Sequence, residues 1–126
     1  MKHHIALAAT LALVTLGSAS AATPACLIEG VVTIGAKSSE VRDCIQSTDA
    51  RFTEEMLRQT CSSLAAAGAP ISKAPPKVTY MGRCPPSAQG HCIQPAMTFS
   101  YYKRSPQDLA ETKTSCEATG GTWKLP

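Results

Sequence analysis

His91 adjoins Cys92 and is the only histidine beyond residue 4, so it is the one imidazole that a later thiol or hydroxyl nucleophile could use as a base. Consecutive residues of a strand point to opposite faces, which separates the two side chains and reads His91 as a surface residue at a strand entrance. Glu54, Glu55, Asp108 and Glu111 offer the residue types of a glycosidase acid and base. Their places near helix starts are equally explained by attraction to the positive end of a helix. No C-x-x-C pair, zinc-ligand spacing or phosphate-cradling glycine loop is present. The residue types therefore predict neither catalysis nor a metal or other cofactor.

The remaining chemistry belongs to sulfur. Residues 1–21 combine the basic start MKHH, an apolar run of about a dozen residues and the small residues Ala19-Ser20-Ala21, the pattern of a cleaved secretory leader. That run is shorter than the roughly 20 residues of a membrane-spanning helix, and nothing later is longer or more apolar, so no transmembrane segment is expected once the leader is removed. All six cysteines, Cys26, Cys44, Cys61, Cys84, Cys92 and Cys116, follow it. An even number of cysteines in an exported chain predicts disulfides, three here. Residues 22–126 have the length of one small domain, whose core alone is only modestly stabilising. Loss of Lys2 with the leader takes the net charge from +3 to +2, and the remaining basic residues are scattered, which argues against a nucleic-acid partner.

Two helices are needed to position these groups. Leu57, Cys61 and Leu64 recur at helical spacing within 53–67, with Gly68 as a left-handed stop. Ser105-Pro106-Gln107-Asp108 carries an N-cap, a first-position proline and a first-turn carboxylate, and Leu109 and Cys116 share the face that follows. From Ile93, the alternation of Pro95, Met97, Phe99 and Tyr101 with polar and small residues predicts one strand whose odd positions face a core. Residues 27–35, 77–81 and 122–125 are further strands, and another leads in from Val41. The double glycine at Gly120 and Gly121 lets the chain leave the second helix and bring Trp123 back against it near Cys116.

"DCIQ" at Cys44 and "HCIQ" at Cys92 are each followed by a helix with a late cysteine and then glycine, which suggests half-repeats over 26–83 and 84–126. The expected fold is a small α+β domain stapled by disulfides, a pseudo-repeated strand-helix-strand unit with helices on one face of an antiparallel sheet. Six cysteines allow 15 connectivities. The repeat favours Cys44–Cys61 and Cys92–Cys116 within the halves and Cys26–Cys84 between them. "CP" at Cys84, "GHC" at Cys92, "YY" at Tyr101 and Tyr102, and "CEATGGTW" from Cys116 resemble small cysteine-rich exported bacterial proteins with a C-x-x-x-G-G-x-W ending. The resemblance covers residues 84–124 and, less closely, the first half, where Tyr80 takes the place of the tryptophan. It implies the fold and carries no activity.

The expected function is that of a periplasmic or extracellular module, not an enzyme, that binds a protein or an envelope component. The aromatic residues Tyr80, Tyr101, Tyr102 and Trp123 are the candidate surface. The alternative is a small exported hydrolase working through its carboxylates. Side chains converging in a pocket would favour the hydrolase, and a flat aromatic patch the binding module.

Overall fold

The computed structural model describes residues 24–126; the leader expected over 1–21 lies outside the described residues. Strands β1 (Ala25–Ile34) and β2 (Lys37–Ser47) form a long hairpin whose turn contains Gly35 at φ +61°. Helix α1 (Glu54–Gly68) and β3 (Lys77–Met81) follow. The chain then repeats this order: the hairpin β4 (Gly90–Ile93) and β5 (Met97–Tyr101), helix α2 (Pro106–Ala118) and β6 (Thr122–Lys124). All six strands join one antiparallel sheet in the order β3-β1-β2-β5-β4-β6. This is a disulfide-stapled α+β fold.

One row of directly opposed residues crosses the whole sheet: Tyr80, Cys26, Ile45, Phe99, Cys92 and Trp123. Opposed residues point to the same side. Cys26 is bonded to Cys61 of α1 and Cys92 to Cys116 of α2, so both helices cover the same face. The row reads the same from either edge, aromatic, cysteine, aliphatic or aromatic, and its centre is the Ile45–Phe99 pair. A pseudo-dyad there relates β1 to β4, β2 to β5 and β3 to β6. Tyr80 thus does stand where the other half has Trp123.

This register corrects the repeat drawn from Cys-Ile-Gln. Cys92 matches Cys26, not Cys44, and the sequence likeness of "DCIQ" to "HCIQ" joins strands that are not equivalent. The bridges follow the true register. Cys92–Cys116 is as expected, whereas the other two are Cys26–Cys61 and Cys44–Cys84. Cys44 lies one residue from Ile45 in the strand and therefore points away from the helices, where Cys61 is out of its reach. There it meets Cys84 in the segment joining the halves, which packs with Ala88, Ala25, Leu27 and Tyr102 on the face without helices.

The strand expected from Ile93 through Tyr101 is two strands. The backbone N–H of Gln94 donates to the Met97 carbonyl at 2.9 Å, leaving Pro95-Ala96 as the turn. Pro95 has no N–H to give a ladder and its fixed φ suits a turn. Folding back exchanges odd and even faces, so Cys92 rather than Ile93 opposes Phe99.

Both helices begin as their sequences dictate, with Thr53 accepting from the N–H of Met56 and Ser105 from that of Asp108. Gly68 is not a left-handed stop. Its φ is −79°, and the chain continues through a 3-10 turn over Ala69–Ile71. Leu57 and Cys61 are fully buried, but Leu64, at the far end of α1, is 46 % exposed. In α2 only Cys116 is buried. The two glycines after α2 serve separate purposes: Gly120 has φ +82°, while Gly121 lies so close to the Cys92 and Cys116 sulfurs that a Cβ would come within 2.8 Å of both. Trp123 turns toward Gly90 and stacks on Tyr101 with ring centroids 5.8 Å apart.

Candidate functional site

In the first half, Phe52 immediately precedes the N-cap Thr53 and is buried with Ile45, Leu57, Cys61 and Cys26, with Met97 and Phe99 packed against that cluster. In the second half, the residue immediately before the N-cap Ser105 is Arg104. The register makes Asp43 of β2 the pseudo-dyad partner of Met97, and Arg104 Nη2 donates to Asp43 Oδ2 at 2.6 Å. An ion pair thus stands where the first half closes its core with an aromatic ring and a thioether.

The staple is displaced as well. Cys61 is the eighth residue after the N-cap of α1 and Cys116 the eleventh after that of α2. Three residues amount to about one helical turn. α2 is therefore held near its C-terminal end, and its earlier turns stand away from the sheet. A cleft of about 810 Å³ opens between them. Cys92, Pro95, Ala96, Met97, Phe99 and Tyr101 form its floor; Asp108, Glu111, Thr112, Ser115, Cys116 and Thr119 its helical wall; Arg104 closes one end.

Electrostatics distinguish the ion pair behind the closed end of the cleft from the carboxylates of its helical wall. Burial pushes the Asp43 carboxyl up to about 6, and the Arg104 charge beside it offsets only part of that rise. The remaining groups Asp43 Oδ1 and Arg104 Nε are buried without a hydrogen-bond partner. Arg104 also lies 5.2 Å from the Tyr101 ring centroid. Burial, and then the charge of Asp43, raise the Tyr101 phenol. Asp108 is held below the usual carboxylate range, first by Ser105 and then by Lys37, whose Nζ lies 3.3 Å from its Oδ1. Glu111 accepts from Gln107 at 3.2 Å and has no cationic partner among the described residues.

The residues singled out in the sequence are distributed unevenly around this cleft. Tyr101 lines it and Trp123 stacks on Tyr101. Tyr80 is on the opposite edge strand, under the Arg58 guanidinium at 4.2 Å from its ring centroid. Tyr102 faces the other side of the sheet and donates to the Pro85 carbonyl. The four aromatics do not form one patch. Asp108 and Glu111 share the cleft wall, whereas Glu54 is on α1 and pairs with Arg58 at 3.0 Å, and Glu55 is exposed on the same helix. His91 meets Ser100 through Nδ1 at 2.8 Å.

Asp43, Arg104, Met97 and Phe99 were not legible as a site. Alignment of the two N-caps would have set Phe52 against Arg104, a change from aromatic to cation at one position of a repeat. Among the described residues no group of three or more His, Cys, Asp or Glu side chains is placed to hold a metal. No helix there is long and apolar enough to cross a membrane. No family model matches the chain, and no curated protein or solved structure is significantly similar to it.

Proposed function

We propose that the protein is an exported, non-enzymatic module that binds a partner protein in the cleft between α2 and β5. The observation that carries this reading is the cleft: an apolar floor of Met97, Phe99 and Tyr101 under a helix with a single buried residue. Apolar concavities with a few placed polar groups are the usual form of a binding site. Export is supported by the leader-like residues 1–21 and by three disulfides, which persist in oxidising compartments. The partner is a protein or an envelope component in the same compartment.

The test is capture from an envelope extract by the mature protein and by Thr112→Trp, which fills the cleft from its helical wall. A partner held by the first and lost by the second, at unchanged melting temperature, supports the reading. Equal capture by both places binding elsewhere and overturns it.

A hydrolase is the second reading, and the criterion set from the sequence favours it, since Asp108 and Glu111 share one cleft and the aromatics form no flat patch. Against it, Asp108 is paired with Lys37 and Glu111 accepts from Gln107, so neither carboxylate is set as an acid and base pair. The carboxyl with a raised pKa, as a general acid requires, is Asp43, and it is turned to Arg104 and is not among the lining residues. Turnover of a glycan, ester or peptide that Asp108→Asn or Glu111→Gln abolishes would replace binding by catalysis.

A further inference from the structure

The two halves are built alike, yet one closes its core and the other leaves it open, and the difference names what the open one lacks. In the first half the space between helix and sheet next to the pseudo-dyad is filled by Phe52 and Leu57. In the second half the positions corresponding to Phe52 and Met97 are Arg104 and Asp43, which bond to each other instead of filling that space. The staple at Cys116 lets the start of α2 stand off, and Leu109, the counterpart of Leu57, is only partly buried and does not line the cleft. Tyr101 is covered in part by Arg104 and Trp123, and Met97 and Phe99 touch the first half's core on one side, but all three still line the open cleft as its apolar floor.

The rim carries the second observation. Asp43 is met by Arg104 and Asp108 by Lys37, but Glu111 is met by no cation among the described residues. The helical wall therefore offers one uncompensated negative charge beside the apolar floor.

Resting on the binding reading above, we infer that the occupant is a polypeptide segment that places an aromatic side chain over Phe99 and Met97 and sets a lysine or arginine within a residue or two of it against Glu111. The partner's ring completes the second half as Phe52 completes the first. Aromatic side chains in desolvated pockets dominate binding energy, whereas a charge on the rim acts mainly on selectivity and rate.

The experiment uses the folded mature protein as bait for a phage library of random dodecapeptides, followed by NMR titration with the enriched sequences made synthetically. Enrichment of Phe, Tyr or Trp next to Lys or Arg is expected, with amide shifts at Met97, Phe99, Thr112 and Ser115. Replacing the peptide aromatic by alanine should cost roughly tenfold or more in affinity. Asp43→Met with Arg104→Phe copies the closed half and should abolish binding; should that pair fail to fold, Thr112→Trp gives the same readout. Glu111→Lys should turn the selected charge from basic to acidic. Peptides that bind the cleft without an aromatic, or whose basic residue persists with Glu111→Lys, overturn this inference and leave the binding reading standing. Peptides that shift only residues outside the cleft, or none that bind, overturn both.

Discussion

Asp43 is an acid that the fold holds against its preference. Its carboxyl loses a proton near 3.8 when unfolded and at about 6 when folded. Between those values the native state binds more protons than the unfolded chain, so this group lowers stability as the pH rises through the window, and the loss is complete above about 6. Asp49 and Asp108 act in the opposite sense: both are lowered, and what they contribute is present at neutral pH and lost on acidification. Comparison of Asp43→Asn with the parent cancels their effect. The variant should gain relative stability from about pH 4 to pH 7, by at most about 3 kcal/mol, in urea unfolding across that range. A constant difference would show that Arg104 compensates the charge fully. Gly90 gives a second residue-scale outcome, because an added Cβ would occupy the space of the Trp123 ring. Gly90→Ala should displace the ring, shift the emission of the chain's one tryptophan to longer wavelength and cost about 1–3 kcal/mol.

At the scale of elements, α1 and α2 are unequal. α1 buries Leu57 and Cys61 in the core, while α2 buries only Cys116 and relies on its bridge to Cys92. That bridge closes a 24-residue separation, worth roughly 3–4 kcal/mol in the chain-entropy view. Cys92→Ala with Cys116→Ala should therefore release α2 and β6 locally. Hydrogen exchange should show the amides of 106–118 losing protection while those of 54–68 keep theirs. Loss of protection in both helices together would make the halves one cooperative unit. The start of α2 was readable because a cap is a local contest, settled by Ser105 and the next few residues, whereas the spacing of Leu57 and Cys61 places α1 without singling out its cap at Thr53. The turn at Pro95-Ala96 was hidden because alternation on either side of it continues unbroken in sequence while the faces exchange in space. Pairing of Cys44 with Cys84 was hidden for the same reason: which side of a sheet a cysteine faces depends on a register fixed by distant strands. The cleft was the least legible, since it arises from a difference between halves and the likeness of "DCIQ" to "HCIQ" set the wrong residues against each other.

For the whole molecule, the halves meet through β2 and β5 and are joined by residues 82–89. An interface made by pairing one half with a near copy of itself is also available to the corresponding half of a second molecule. Domain exchange would use the same strands and the same Ile45–Phe99 centre, and would need only the joining segment to straighten. Cys44–Cys84 opposes this, because it fastens the beginning of that segment to β2 of its own half, and the Tyr102 hydroxyl holds Pro85 just beyond. With Cys44→Ser and Cys84→Ser, size-exclusion chromatography after refolding at high concentration should show a dimer that the parent does not form; a variant that stays monomeric would assign that restraint to packing alone. The third bridge is then a kinetic device as well as a thermodynamic one: it commits each chain, as it oxidises, to completing its sheet with its own second half.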